Sequence, residues 1–445
     1  MTFKDLNLNK PLYSALEDLG ITEPTTIQYK TFAPIMAGKD VVGIAQTGTG
    51  KTFAFLLPTL KLWKFSNSPS PQILIIVPTR ELVAQVVEEV KKLTEYMTFH
   101  VVGVYGGTNI RTQKIAVSEG ADVVVGTPGR LGDLMKDGVL KTKKINRLII
   151  DEVDEMLNLG FRTQLRDIIE FLPKRRQNLM FSATMTKEVE AVIHEFTTTF
   201  EKIEAAPSGA PLENIDQYAY SVPNFNSKAN LLEILFRDHP EMSKVLVFAS
   251  TKKMADVLYE RLLPSFEEKM GLIHSSKSQN NRFDTVSKFG DGTYRFLIAT
   301  DIIARGLDVS EVTHIVNFDL PDVAEKYIHR IGRTGRAEKK GVAISFVSET
   351  EEAYKKDIEG LMSLEIPVHA NPDDLVLTDE LIDLEKPVEF IPFNHNKIRT
   401  AKPTGKAFHE KKDKNKKTNN KIRRNEKMHL KYGKPQTRGQ KPKKR

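Results

Sequence analysis

The sequence has no cysteine among its 445 residues. This absence excludes a disulfide scaffold, a thiol nucleophile and any zinc site with cysteine ligands, and it is typical of a reducing compartment. The chain also lacks a run of about 18 apolar residues, the length of a membrane span, and its start lacks the apolar stretch of a signal peptide. We therefore expect a soluble, cytoplasmic protein without a membrane partner.

Acidic residues are scarce at the end of the chain. Residues 393–445 contain 20 Lys and Arg but three Asp and Glu, whereas the preceding residues contain 46 and 55. This basic tail is poor in aliphatic residues and cannot bury enough apolar surface to fold alone, so we expect it to be disordered. The rest of the chain is mildly acidic, and the hydrophobic fraction of 40% supports folded cores.

The pattern before the tail is that of an α/β fold. Helical patterns separate short apolar runs; in residues 80–93, for example, aliphatic residues occupy one face and charged residues the other. Strands that alternate with helices indicate parallel sheets with right-handed crossovers. The runs that we interpret as buried strands are residues 41–45, 73–77, 122–126, 147–151 and 178–182, followed by 245–249, 271–274, 295–300, 314–318 and 342–347.

Residues 205–214, AAPSGAPLEN, interrupt this rhythm with two prolines and a glycine, as a linker does. The strand pattern then restarts, without a repeated sequence. We therefore predict a first domain at residues 1–204 and a second domain at residues 215–370. A C-terminal extension covers residues 371–445 and becomes basic and disordered from about residue 393.

A glycine-rich loop follows the first predicted strand and precedes an apolar helix. Glycine lets backbone N–H groups turn toward a phosphate, and the helix N-terminus adds positive potential. The lysine would reach the outer phosphates and the last threonine can ligate magnesium. The loop consists of Gln46, Thr47, Gly48, Thr49, Gly50, Lys51 and Thr52.

An acidic quartet, Asp151-Glu152-Val153-Asp154, directly follows the apolar residues 148–150. On its own such a quartet is most often a solvated turn. Together with the glycine-rich loop it predicts a hydrolytic phosphate site, in which Asp151 would hold magnesium through water and Glu152 would polarise the attacking water.

At this point the chain resembles the DEAD-box RNA helicases of superfamily 2, over nearly all of residues 3–336. Val153 stands where that family usually has alanine, a conservative change. The overall resemblance, with two domains and a short basic tail, suggests the RhlE-like branch. Further matches are residues 78–82, 106–107, 127–130, 182–184 and 248–251, Gln279 with Arg282, and the basic motif 329–336.

The resemblance implies two RecA-like domains with one ATP site between them. Gln28 would contact the adenine edge. Ile21 stands where the family usually has an aromatic side chain on the base, which predicts weaker nucleotide affinity. The catalytic residues would be Lys51, Asp151, Glu152 and the arginine fingers Arg333 and Arg336, and the residues that bind ATP would be Ile21, Gln28, 46–52, Gly306 and Asp308.

The resemblance also assigns residues to RNA. Small hydroxyls and backbone amides would contact the sugar-phosphate chain irrespective of base identity. Asp154, Ser182, Thr184 and His329 would couple ATP hydrolysis to unwinding. The RNA contacts would be Pro78, Thr79, Arg80, Gly107, Thr127 and Arg130 in the first domain and Thr251 and Thr300 in the second.

The predicted function is that of a monomeric RNA helicase that requires ATP and Mg²⁺ and unwinds short duplexes locally. The basic tail would bind RNA or ribosomal particles through counterion release. Two alternatives stay open at this point. One is a translocating DNA helicase, and the other is an ATP-gated RNA clamp or chaperone in ribosome assembly without net unwinding.

Overall fold

The computed structural model describes residues 2–46, 48–205, 214–301, 312–335 and 340–386. The described residues up to 386 form one unit by their contacts. The predicted linker, except for its two end residues, and the predicted basic tail therefore lie outside the described residues. Within the described ranges, no helix combines the length and apolarity needed to cross a membrane.

The first sheet is parallel, with its strands in the order β3-β4-β2-β5-β6-β1-β7. The central strands β1, β2 and β4 are buried along their whole length, because helices cover both faces of the sheet. The strands are β1 Val41–Ile44, β2 Ile73–Ile76, β3 Val101–Val104, β4 Val123–Gly126, β5 Arg147–Ile150, β6 Gln177–Ser182 and β7 Glu201–Glu204.

Nine α-helices and a 3₁₀ helix at Phe3–Leu6 lie among the described residues of this first domain. Alternate residues of a strand pack into different cores, as Ile73 and Leu74 of β2 do, so the sheet separates two apolar layers. The helices are α1 Lys10–Asp18, α2 Thr26–Met36, α3 Lys51–Leu62, α4 Arg80–Leu93, α5 Ile110–Glu119, α6 Pro128–Lys136, α7 Val153–Asn158, α8 Arg162–Glu170 and α9 Lys187–Phe196.

The second sheet is also parallel, in the order β10-β11-β9-β12-β13-β8-β14. Counted from the first strand of each domain, this order is identical to that of the first sheet. The strands are β8 Ile215–Ser221, β9 Val245–Phe248, β10 Met270–Ile273, β11 Phe296–Ala299, β12 His314–Asn317, β13 Gly341–Val347 and β14 Val368–His369. The described helices are α10 Phe225–Asp238, α11 Lys252–Phe266, α12 Gln279–Gly290, α13 Ala324–Ile331 and α14 Glu352–Met362.

Residues 371–386, which we name the strap, lie along α10. Asn230 Nδ2 donates to the carbonyl of Val376 at 2.9 Å, and Thr378 N donates to Ser227 Oγ at 3.0 Å. Leu375 and Ile382 pack against the core of the second domain. The strap therefore belongs to the fold of the second domain, although the sequence pattern there predicts only an extension.

Candidate active site

The glycine-rich loop joins β1 to α3 at the carboxyl edge of the first sheet. Gly48 and Gly50 have φ angles of 83° and 86°, a left-handed conformation that glycine adopts without strain. A Cβ at Gly50 would lie 2.3 Å from Gln28 Nε2, so the position also requires a residue without a side chain. Thr47 lies outside the described residues.

Lys51 begins α3 and is buried. Among the described residues, its Nζ has no hydrogen-bond partner. A buried ammonium costs free energy unless an anion neutralises it. This ammonium without a hydrogen bond, at a helix N-terminus beside a glycine turn, fits the phosphates of a nucleotide. Thr52 follows it in the first turn of α3 and is partly buried.

Gln28 is buried and connects α2 to the loop. Its Nε2 donates to the Gly50 carbonyl at 3.1 Å, and its Oε1 accepts from Thr25 N at 3.0 Å. Ile21 is partly buried and packs against the core of the first domain. The adenine contact of Gln28 stays a prediction, and Gly306 and Asp308 lie outside the described residues.

The acidic quartet follows β5 next to this loop. Asp151 is buried, and burial raises the pKa of its carboxyl to about 6 although the nearby charge of Lys51 lowers it. Glu152 has φ 53° and ψ 54°, and its N–H donates to Asp151 Oδ1 at 2.9 Å. A left-handed residue other than glycine carries strain that often marks a functional position. Asp151 and Thr52 supply oxygen donors that fit a magnesium ion beside the phosphates.

Asp154 is the point where the two domains meet next to the ATP site. Its Oδ2 accepts from Thr184 N at 2.9 Å and Thr184 Oγ1 at 3.0 Å, and it lies 3.5 Å from His329 Nε2. Its N–H donates to Ser182 Oγ at 3.3 Å. Burial raises the pKa of Asp154, but the hydrogen bond and charge of His329, with Lys51 and Thr184, hold that pKa well below its usual range. The structure thus brings the four predicted coupling residues together.

The basic motif of the second domain lies on and after α13. Arg333 is buried one turn beyond His329, and its Nε donates to the His329 carbonyl at 3.4 Å. Arg336 lies outside the described residues, so the arginine-finger roles stay predictions. Arg330 was not singled out from the sequence. It binds both carboxylate oxygens of Asp301, at 2.5 and 2.9 Å.

A cavity of about 470 Å³ contains most of the predicted RNA contacts. Ser275 and Lys277 of the second domain also line it, so it lies between the domains. Gly107 has a φ of 77°, and a Cβ there would lie 2.1 Å from Arg80 Nη1. Gly107, Thr251 and Thr300 are not among the lining residues. The predicted RNA contacts that line the cavity are Pro78, Thr79, Arg80, Thr127 and Arg130.

Arg130 uses its guanidinium within the first domain. Nη1 donates to Gln113 Oε1 at 2.6 Å and Nη2 donates to the Thr108 carbonyl at 3.1 Å. It therefore holds the loop that contains Gly107, and its phosphate contact stays a prediction. Thr79 and Thr251 occupy the same role in their domains, because each caps the following helix with its Oγ1.

One interdomain contact was missed by the sequence interpretation. Glu81 Oε1 lies 2.5 Å from Arg282 Nη2 and accepts from Gln279 Nε2 at 3.0 Å. Gln279 Oε1 accepts from Arg80 Nη1 at 3.3 Å. The family motifs that contain these residues are visible in the sequence, but their pairing is not.

Comparison with known proteins gives matches in both domains. The DEAD/DEAH box helicase model matches residues 25–192, and the helicase conserved C-terminal domain model matches residues 227–338. ATP-dependent RNA helicase DbpA of Bacillus subtilis (strain 168) is 36% identical, over 82% of this chain and 75% of the relative. DEAD-box ATP-dependent RNA helicase CshA of Geobacillus kaustophilus (strain HTA426) is 40% identical, over 80% and 76%.

Solved structures agree with this similarity. S. cerevisiae Dbp5 bound to RNA and ADP BeF3 matches with a TM-score of 0.76 and 30% identity, over 83% of this chain and 95% of that chain. Mss116 bound to ssRNA and UDP-BeF matches with a TM-score of 0.76 and 26% identity, over 84% and 81%.

Two RecA-like domains with a phosphate loop in the first and a buried basic motif in the second define a nucleotide-dependent helicase. The chain belongs to the DEAD-box family of ATP-dependent RNA helicases, which hydrolyse ATP. The predicted fold class and helicase function are confirmed. The alternatives of a DNA motor and of a clamp without unwinding are not favoured, and membership of the RhlE-like branch stays a prediction.

Proposed function

We propose that the chain hydrolyses ATP to ADP and phosphate when RNA is bound, and that domain closure separates short RNA duplexes locally. The observation that carries this proposal is the contact of Asp154 with His329. It joins the acidic quartet of one domain to the basic motif of the other. A site divided in this way is complete only when the domains are closed.

In the ATP half of the site, Lys51 would bind the outer phosphates, because its buried ammonium has no hydrogen-bond partner among the described residues. Thr52 and Asp151 would hold Mg²⁺, in part through water. Bound Mg²⁺ offsets negative charge on the phosphates. Glu152 would orient the attacking water, and Arg333 and Arg336 would offset the charge of the transition state.

In the RNA half, the backbone of one strand would lie against Thr79, Gly107 and Thr127, and then against Thr251 and Thr300. Hydroxyls and backbone amides bind phosphates and 2′-hydroxyls, and they do not distinguish bases. We therefore propose RNA binding that is independent of sequence. Closure on one bent strand would displace its partner strand.

The four coupling residues, Asp154, Ser182, Thr184 and His329, would connect domain closure to both the ATP half and the RNA half. Asp154 contacts Thr184, the backbone N–H of Asp154 contacts Ser182, and Asp154 meets His329 across the domains. Loss of these contacts would leave the phosphate chemistry in place and separate it from duplex opening.

We further propose a cytoplasmic monomer whose basic tail binds RNA or ribosomal particles.

The test is ATP hydrolysis without polymer, with single-stranded RNA and with DNA of the same sequence, in the full chain. Glu152→Gln serves as the blank, because it keeps the side-chain size and removes the carboxylate. We expect stimulation by RNA alone, absent in the blank. Equal stimulation by DNA, or no stimulation by any polymer, would contradict the proposal.

A further inference from the structure

The second domain contains a counterpart of the ATP site. Because the two sheets have the same strand order, each segment that follows a strand in the first domain corresponds to one in the second. Lys51 follows the first strand of its domain and Asp151 follows the fifth. In the second domain the corresponding segments contain Lys228, in α10, and Asp319, after β12.

Both aspartates donate their backbone N–H to the last residue of the second strand of their domain, although their positions differ by one residue in register. Asp151 N donates to the carbonyl of Ile76, the last residue of β2, at 3.0 Å. Asp319 N donates to the carbonyl of Phe248, the last residue of β9, at 3.3 Å. Asp151 directly follows β5, whereas Phe318 separates Asp319 from β12. Each acid therefore lies just beyond the carboxyl edge of its sheet, next to the second strand of its domain.

In the second domain the lysine is already neutralised. Lys228 is buried, with its Nζ 2.7 Å from Glu351 Oε2 and 3.4 Å from Asp319 Oδ1. Its ammonium also lies 5.7 Å from the ring centroid of Phe318. Two carboxylates thus occupy the environment that phosphates would need, whereas the ammonium of Lys51 has no hydrogen-bond partner among the described residues.

The Lys228 cluster is connected to a predicted RNA contact. Asp319 Oδ2 accepts from Ser250 N at 2.8 Å. Ser250 and Thr251 form the exposed turn before α11, and Thr251 Oγ1 accepts from Met254 N at 3.1 Å. The hydrogen bond from Ser250 N to Asp319 therefore fixes the backbone of this turn.

We propose that Lys228 is a positioning residue for RNA binding, which acts by fixing Asp319 and thereby the Ser250–Thr251 turn. The inference rests on the proposed RNA contact of Thr251. A purely structural role for Lys228, as a satisfied buried ion pair, would give loss of stability without a specific loss of RNA affinity.

The effect of removing the ammonium follows from the other contacts of the two carboxylates. Within the described part of the chain, Glu351 also accepts from Leu320 N at 2.9 Å, Ser348 N at 3.0 Å and Ser348 Oγ at 2.6 Å. Among the described residues, the carboxylate of Asp319 accepts hydrogen bonds only from Ser250 N and Lys228 Nζ. Without the ammonium, the carboxylates of Glu351 and Asp319 repel each other. Because Asp319 retains fewer hydrogen bonds than Glu351, Asp319 is the group that moves.

The experiment measures RNA-stimulated ATP hydrolysis of the full chain with Lys228→Met, Thr251→Ala and the double variant. We expect Lys228→Met to raise the apparent KM for RNA about fivefold and to leave kcat at saturating RNA within about twofold. If both residues act through one turn, the double variant resembles the more severe single variant, since effects in one network do not add. If Lys228→Met does not fold, Asp319→Asn is measured in its place and should also raise the KM for RNA.

Two variants control for indirect effects. Ile344→Val truncates a buried side chain of β13 and should lower the Tm without changing the KM for RNA. Thr251→Ser keeps the hydroxyl and the helix cap. If Ile344→Val changes the KM as much as Lys228→Met at an equal loss of Tm, the positioning role is wrong.

The remaining outcomes separate the inference from the proposed function. If Thr251→Ala raises the KM and Lys228→Met does not, the inference fails and the RNA contact stands. If Thr251→Ala is without effect, the RNA contact of Thr251 fails, and Lys228 does not act through it. If the effects of the two substitutions on the KM for RNA add in the double variant, Lys228 and Thr251 do not act through the same turn, and the inference is wrong.

Discussion

Asp154 Oδ2 lies 3.5 Å from His329 Nε2, and both side chains are buried. These residues come from different domains, so a carboxylate of the ATP half is in contact with an imidazole of the other half. The charge of His329 contributes to the low pKa of Asp154. The pKa of Asp154 therefore depends in part on domain closure.

The hydroxyls around Asp154 should be needed for unwinding more than for hydrolysis. We expect Ser182→Ala with Thr184→Ala to keep RNA-stimulated ATPase within about threefold and to lose strand separation, because Asp154 loses contacts that orient it toward His329. The measurement compares ATPase and unwinding of a short RNA duplex. Thr184→Ser keeps the hydroxyl and serves as the control; equal loss of both activities in the double variant would contradict the prediction.

Magnesium binding should weaken in mild acid. Burial raises the pKa of Asp151 to about 6. The neutral acid therefore predominates below that pH and the carboxylate above it. Since Mg²⁺ prefers an ionised oxygen ligand, the Mg²⁺-dependent part of nucleotide affinity should fall as the pH drops through about 6. Mg²⁺ titrations with a fluorescent nucleotide measure this, and Asp151→Asn should remove the pH dependence.

Glu81→Gln should oppose domain closure. The side chains of Glu81 and Arg282 are both largely buried, and burial lowers the pKa of Arg282 although Glu81 raises it. Without the carboxylate, closure buries the guanidinium beside a neutral partner, at a cost of about 1–3 kcal/mol. Fluorescence transfer between one engineered cysteine in each domain, with RNA and an ATP analogue, should show a smaller closed population.

The control for this experiment makes the same change in an exposed pair. Asp284 and Lys288 lie on α12, as Arg282 does, and their contact at 2.8 Å stays within that helix. Asp284→Asn should leave the closed population unchanged. A similar loss of closure in both variants would refute the role of the Glu81–Arg282 contact.

The strap should stabilise the second domain. Deletion of residues 371–445 removes the packing of Leu375 and Ile382 and the hydrogen bonds to α10, and we expect it to lower the Tm by about 4–8 °C. Deletion of residues 387–445 alone keeps these contacts and is the matched control. Equal melting temperatures of the two truncated proteins would show that the strap contributes nothing.

The basic tail should contribute to RNA affinity through charge. Truncation at about residue 393 should raise the apparent dissociation constant for RNA and flatten its salt dependence, because fewer counterions are released on binding. Binding at several salt concentrations measures both quantities. An unchanged constant with an unchanged slope would mean that the tail only increases solubility.

The sequence predicted the elements whose signals are local. The phosphate loop and the acid after β5 were found because strand, loop and side chains are adjacent in the chain. The strands β7, β8 and β14 were missed, because they are short or alternate between polar and apolar residues. The strand β3 was also missed, although its residues are apolar and only alternate ones are fully buried. Some of them lie at the sheet edges, where one side is unpaired.

Contacts between distant residues could not be predicted in this way. Glu81 and Arg282 are charged residues that, taken alone, suggest solvated helix faces, and only the closed arrangement buries them together. Arg330 is hidden in the same manner within a basic motif, where neither its partner Asp301 nor its burial is visible from spacing.

The matching strand orders have a consequence for stoichiometry. Two domains of one topology could each bind a nucleotide, but the segment after β8 is Val222-Pro223-Asn224, without glycine, and the lysine that follows is paired with carboxylates. A calorimetric titration of the full chain with an ATP analogue should therefore reach saturation at one nucleotide per chain. Of the two domains with the same topology, the first therefore binds the nucleotide, and the second supplies the opposite side of that site.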